Sequence, residues 1–385
     1  MEDWKNGGFG LYIHWPFCES KCPYCDFNSH VAASIDQSIW KHAYLAEIDR
    51  IGLETGGRRL DTVFFGGGTP SLMDPDLVGA VIERIRATWS MRNNPEITLE
   101  ANPGSIESGR FMGYRDAGVT RISMGMQAMN DADLKKLGRR HTAREAHQAF
   151  EIARNCFERV SFDLIYARQD QSLNHWKHEL QSALAMAAGH ISLYQLTIED
   201  GTAFADRLAR GGLKGLPKDD LAADMYDLTQ ELTERAGLAA YEVSNHAAEG
   251  AESAHNLIYW RGGDYAGIGP GAHGRLTIAG VRWATEAPKS PPLWLNMVAA
   301  TASGELPRNA LSAHDHALEY LMMSLRLREG MDLGRYNKIA GAPLDDKRCN
   351  YLQDLGMITV SASKIAATQQ GRLVLNALIR ELAEN

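Results

Sequence analysis

Through the first half of the chain, short apolar β-rich runs alternate with longer stretches whose apolar residues recur at helical spacing. The strand candidates are Phe9–His14, Thr62–Phe65, Ile97–Glu100, Arg121–Met124, Val160–Tyr166 and His190–Leu196. Between the first two, Trp40, Tyr44, Ile48 and Ile51 fall on one helical face. Between the next two, Asp74 followed by Pro75 reads as an N-cap and first helical position, and Val78, Val81, Ile82 and Ile85 supply the apolar stripe. Six βα units in succession predict a parallel sheet with helical crossovers, built as an open doubly wound sheet or as a full or partial barrel. Both architectures place chemistry at the carboxyl ends of the strands.

After residue 205 the alternation weakens. Residues 219–236 read as a helix, "YEVSNHA" at 241–247 as a further strand, and 261–274 is glycine-rich. The end of the chain carries helices over about 313–328 and 370–383, with a hairpin between them in "LGMITVSASKIAATQQG", the outline of a winged-helix-like unit. Three regions follow: residues 1–205, an accessory α+β segment over 206–305, and a small C-terminal unit over 306–385. From His314 to Asn385 nine Lys/Arg balance nine Asp/Glu, and the whole chain of 385 residues has a formal charge of −8. That balance argues against nucleic acid or an anionic membrane as a broad partner. No run approaches the length of a membrane span, and the first residues lack the layout of a signal peptide. Five cysteines, three of them clustered, are not a secreted disulfide framework, so a reducing cytoplasm is expected.

The unusual residues gather at the strand ends. The first strand runs into "FCESKCPYCDFNSH", the second into "GGGTP", the third ends in "LEANP", and the fourth runs through "RISMGMQ". The fifth strand carries Asp163. One shared site is the expectation. Thiolates at C-x3-C-x2-C converge through a tight loop, and three ligands leave a fourth position to explain. His30 could complete a Cys3His zinc set. An iron–sulfur cluster on Cys18, Cys22 and Cys25 would instead leave one iron open to a small molecule's amine and carboxylate. Unligated cysteines are the bland alternative. The glycine run lets backbone approach a ligand closely, although a tight βα turn explains it equally well.

These residues carry a family resemblance. "YIHWPFCESKCPYCDFNSH", "GGGTPS", "EANPG", "RISMGMQ", "DLIY", "YQLTIEDGT" and "GIGPGAHG" stand in the order found in the HemN/HemW group of radical S-adenosylmethionine (SAM) proteins, and the resemblance covers nearly the whole chain. It implies a partial (βα)6 barrel and a [4Fe–4S] cluster on Cys18, Cys22 and Cys25, with SAM at the fourth iron. It also implies that Gly67, Gly68 and Thr69 line the SAM site, that Tyr12 and Tyr24 flank the cluster, and that Glu100, Gln127, Arg139 and Asp163 contact SAM. Acids and amides suit ribose hydroxyls and ammonium, and an arginine can fork onto a carboxylate. One departure stands out: the family's G-L-P-x-Q-[ST] after "DLIY" is here "ARQDQS", which alters a loop beside the pocket.

Two motifs separate branches within the group. "HNLIYW" at 255–260 resembles the signature of HemW-type heme chaperones, and Phe27 occupies the position where HemN-type enzymes carry a further cysteine. The resemblance therefore implies a protein that binds heme and delivers it to respiratory hemoproteins, with no catalytic residue assigned. His255 would ligate the iron, and Tyr259 and Trp260 would pack on the porphyrin. His255 at a polar helix or strand edge with inward aromatics is the plainer reading of the same residues. His14, His246 and His273 read more readily as structural. A homodimer and peripheral membrane contact stay open. The alternative is a radical enzyme of the oxygen-independent coproporphyrinogen III dehydrogenase type, or another enzyme that forms a 5′-deoxyadenosyl radical.

Overall fold

A computed structural model describes residues 2–32, 34–104 and 109–384. Six parallel strands form the core: β1 (Phe9–Trp15), β2 (Arg59–Gly67), β3 (Ser90–Ala101), β4 (Arg121–Gln127), β5 (Arg159–Tyr166) and β6 (His190–Gln195). Each expected strand is present. β3 is much longer than its apolar run, because Ser90 and Met91 already pair with Arg59 and Leu60 before a register shift. The helices α1 (Gln37–Thr55) and α2 (Pro75–Thr88) cover the sheet through the stripes read from sequence, with Trp40, Tyr44, Ile48, Ile51, Val78, Val81, Ile82 and Ile85 all buried. Asp74 holds the extended backbone of an N-cap, but its side chain caps nothing; it faces Arg110 at 3.5 Å instead.

The sheet does not stop at six strands. Short strands β7 (Ala239–Ala240) and β8 (Asn245–Ala247) add antiparallel to β6. On the other edge β9 (Asp264–Ile268) pairs parallel with β1, and β10 (His273–Ile278), β11 (Val281–Glu286) and β12 (Asn309–Ala310) follow antiparallel, giving a sheet of twelve. Only the last three residues of the expected 241–247 strand are extended in a ladder. Trp294 and Val298 of Pro291–Thr301 share one apolar core with the barrel strands. The accessory segment thus continues the sheet of the first region.

From Ala313 onward a second core gathers around Leu321, Leu325, Ile365 and Leu378. It comprises a three-stranded antiparallel sheet (Met331–Asp332, Ile358–Val360, Lys364–Ala367) and flanking helices, the last of them interrupted at Val374. The expected hairpin is there. Arg335 ties this unit to the first turn of the chain through Asp3 at 2.7 Å.

The divergent "ARQDQS" loop closes around a buried cation. Arg168 is 2% exposed and reaches Asp133 at 2.8 Å and Glu179 at 2.5 Å, while donating to the carbonyl of Ile165. Asp133 lies on α3 (Asp131–Lys136) and Glu179 on α4 (Leu173–Met186). Ala167, where the resembling family has glycine, keeps a left-handed φ of 57°.

Candidate cluster and cofactor site

The cysteine loop is closed at its base by a two-residue parallel bridge in which Phe17 pairs with His30 and Cys18 with Val31. Within it, the amide of Cys25 donates to the carbonyl of Cys22. Gly67 and Gly68 draw the end of β2 against this base. The amides of Gly68 and Thr69 donate to Trp15 and Phe17, and a Cβ on Gly67, whose φ is 114°, would stand 2.6 Å from the His14 ring. The glycines therefore serve close packing of two strand ends. Their amides are spent on protein carbonyls and, for Gly67, on Glu100 at 3.3 Å.

Cys18, Cys22, Cys25, Tyr24, Gly67, Gly68, Thr69, Glu100, Gln127, Arg139 and Asp163 line one cavity of about 400 Å³. One cavity thus collects eleven of the residues that the strand ends and the resemblance pointed to. Gln127 enters through a bulge at the end of β4, with φ at 71°. Tyr12 is not a wall of this cavity; it faces the neighbouring one, with its hydroxyl 3.1 Å from His14 Nδ1. His30 turns to Asn28 and the carbonyl of Lys289, away from the thiols.

Polar groups are aimed at the sulfurs. Thr69 donates to Cys18 Sγ and Arg139 to Cys22 Sγ, each at 3.4 Å. Asn102, which sequence reasoning passed over although it sits in "EANP", joins the two: it donates to Thr69 at 3.1 Å and accepts from Arg139 at 2.6 Å. Rather than forking onto a carboxylate, Arg139 bonds Asn102, the carbonyl of Gly125 and Cys22, and its buried Nε has no partner among the described residues. Burial pushes the Cys18 and Cys25 thiols up. Burial, helped by Asp163, raises Glu100 to about 8, and burial raises Asp163 to about 6. A cavity with two buried carboxyls and a buried guanidinium suits a ligand that brings both ammonium and carboxylate.

The three-thiol donor set fits a polynuclear group. Among the described residues no three His, Cys, Asp or Glu side chains surround a single ion, yet three thiols share one cavity. The residues present fit a cluster held by Cys18, Cys22 and Cys25, with SAM against Glu100, Gln127, Arg139 and Asp163.

A second cavity of about 800 Å³ adjoins the first. Lys21, Asp26, Phe27, Gly67 and Glu100 are walls of both. Tyr12, Tyr259, Trp260 and Tyr265 give it an aromatic side, and Phe27 is 58% exposed at its junction with the first cavity. Tyr259 and Trp260 end a short helix, Ala254–Trp260, capped by Ser253. His255 lies one turn earlier, 1% exposed and stacked on Phe64. Its Nδ1 meets Thr62 Oγ1 and its Nε2 meets Tyr259 Oη, both at 2.7 Å. Burial, with Arg121 nearby, drives its ring down to about 3. His255 does not line either cavity.

A three-cysteine loop at the mouth of a partial βα barrel defines a radical SAM protein, and the model of the Radical SAM superfamily matches residues 12–182. The HemN C-terminal domain matches residues 311–374. "Heme chaperone HemW" of Haemophilus influenzae and of Escherichia coli are each 36% identical, over 96% of this chain and 96% of theirs. "Radical S-adenosyl methionine domain-containing protein 1, mitochondrial" of Bos taurus is 36% identical over 97% of this chain and 86% of its own. The chain belongs to the HemW family of radical SAM proteins. Its fold matches the solved coproporphyrinogen III oxidase HemN of Escherichia coli with a TM-score of 0.81 at 20% identity, over 98% of this chain and 90% of that one. No helix among the described residues is long and apolar enough to cross a membrane.

Proposed function

We propose that the chain is a heme chaperone: it takes heme into the second cavity and passes it to respiratory hemoproteins, while the first cavity holds a [4Fe–4S] cluster and SAM. The observation that carries this reading is the aromatic cavity itself, large enough for a macrocycle and sharing Phe27 and Glu100 with the cysteine cavity. Pockets of about 300–1,000 Å³ are typical of cofactor-sized ligands. Cys18, Cys22 and Cys25 hold three irons, and Tyr24 covers the thiols from the side of Phe204. Glu100, Gln127, Arg139 and Asp163 take the polar groups of SAM, with Gly67, Gly68 and Thr69 as its close-packed floor. The cluster with SAM supplies one-electron chemistry when bound. Tyr259 and Trp260 give heme its aromatic wall, Tyr12 closes the side toward the cluster, and His255 positions Tyr259 through its Nε2 bond.

Five free cysteines support a reducing cytoplasm as the place of action. The exposed Phe27 and Val31 of the cysteine loop support a contact with an acceptor at the membrane or with a second copy. The test is anaerobic purification followed by iron, sulfide and heme quantitation before and after SAM, then transfer of heme to an apo b-type cytochrome. Heme bound and transferred without SAM consumption is the expected result. Stoichiometric 5′-deoxyadenosine with oxidised coproporphyrinogen III would replace the chaperone reading with an enzymatic one.

A further inference from the structure

Three histidines stand near the second cavity, and their ring nitrogens separate them. His255 spends both on Thr62 and Tyr259 and lies behind the wall. His14 spends both, on the Tyr12 hydroxyl and on the carbonyl of Asn28 at 2.9 Å. His273 is a wall residue with its side chain 60% exposed. Among the described residues its Nε2 makes no hydrogen bond, and its Nδ1 is 4.0 Å from Glu286 Oε2. His273 and Glu286 are register partners across β10 and β11, so the carboxylate side of the imidazole is set by the sheet. A carboxylate beside one ring nitrogen favours the orientation that leaves the other nitrogen open to a ligand.

We propose that His273 is the axial iron ligand of heme in the second cavity, oriented by Glu286, with Tyr259 and Trp260 against the porphyrin face and Lys289 receiving a propionate; this rests on the heme-binding reading above. The ligand position lies on the loop that the cysteine loop itself braces. Asn28 donates to the carbonyls of Pro270 and Lys289 at 2.9 and 3.0 Å, and a Cβ at Gly271 would collide with Asn28. Heme held there would stand against the same loop that carries the cluster's cysteines. Met323, from the C-terminal unit, completes the wall with a thioether.

The experiment titrates hemin into the full-length protein and its variants, reading the Soret band, low-temperature electron paramagnetic resonance and Kd. His273→Ala is expected to lose the imidazole-ligated signature and weaken binding about tenfold or more, with added imidazole restoring the spectrum. Glu286→Gln should weaken binding without removing the signature. His255→Ala, which frees Tyr259, should weaken binding, while the heme that still binds keeps the imidazole-ligated signature if the fold, checked by circular dichroism, is intact. His273→Ala with unchanged spectrum and affinity overturns the ligand assignment, as does a folded His255→Ala that loses the signature. A wild-type chain that gives no Soret shift overturns the heme-binding reading itself, which keeps the two failures apart.

Discussion

Replacing Arg168 with methionine tests whether the unusual loop after β5 is held by its buried cation. Arg168→Met keeps most of the side-chain volume and removes the charge. Two carboxylates then lose a partner: Asp133 at 2.8 Å and Glu179 at 2.5 Å, with side chains only 9% and 3% exposed. Breaking a buried ion pair by removing one partner costs about 3–5 kcal/mol. Both acids keep other donors, Asn130 for Asp133 and the amide of Met129 and Gln171 for Glu179. That places the loss near the lower end, about 3 kcal/mol. With a urea m-value of about 3 kcal/mol/M for a chain of this size, the midpoint should fall by about 1 M. Circular dichroism and tryptophan fluorescence in urea measure it. The Asp133 carboxyl is held below its ordinary value: burial opposes this, and the Asn130 bond and Arg168 outweigh it. A depressed carboxylate contributes stability above its unfolded pKa and loses it as pH falls, so the gap between wild type and variant should narrow below about pH 4. Adding Asp133→Asn and Glu179→Gln to Arg168→Met should recover much of the loss, because no uncompensated charge is left. A midpoint shift below about 0.2 M, or one insensitive to pH, would refute the reasoning.

Ala167→Gly should stabilise the protein by about 0.5–1 kcal/mol in thermal melts, since a non-glycine residue at left-handed φ costs about 1–2 kcal/mol and the added chain entropy of glycine takes part of that back. Asn102→Ala removes the bridge between Thr69 and Arg139, and SAM affinity by calorimetry should fall on the order of tenfold while iron content holds. Glu100 and Asp163 bind protons more tightly folded than unfolded, so stability before cluster loading should decline as pH rises from about 4.5 toward 8. Glu100→Gln should flatten that slope, and an unchanged slope would place the protons elsewhere.

The first cavity was readable because its parts obey a local rule. Most sit at or just past the carboxyl end of a strand whose apolar run is visible, and parallel pairing brings successive ends together; Arg139, beyond the helix Asp131–Lys136, was legible only through the family resemblance. What sequence missed there is physical too. Asn102 lies two residues from an assigned acid, and only the fold shows that it spans Thr69 and Arg139. Arg168 reads as a surface residue in a polar loop until Asp133 and Glu179, on two different helices, close over it. Asp74 shows the reverse case, where a sound local signal fixed the backbone and left the side chain to a distant arginine.

The second cavity obeys no such local rule, so its histidines could not be told apart by strand-end position. Its walls come from β1, the cysteine loop, Tyr259 and Trp260, the turn into β10, Lys289 and Met323. Three long-range contacts assemble them: β9 pairs parallel with β1, Asn28 bonds carbonyls more than 240 residues away, and the C-terminal unit packs beside them. A motif such as "HNLIYW" marks the neighbourhood, but the same helix that presents Tyr259 and Trp260 turns His255 inward, where Thr62 and Glu96 receive it. A buried histidine whose two nitrogens are bonded rigidifies its helix; a half-open one with a free nitrogen is equipped to bind metal. The wall shared at Phe27 and Glu100 then gives the two cavities a common element, so that filling one alters the surface presented to the other. On the proposed reading, a cluster and heme would share Phe27 of the cysteine loop and Glu100 at the end of β3 as common walls.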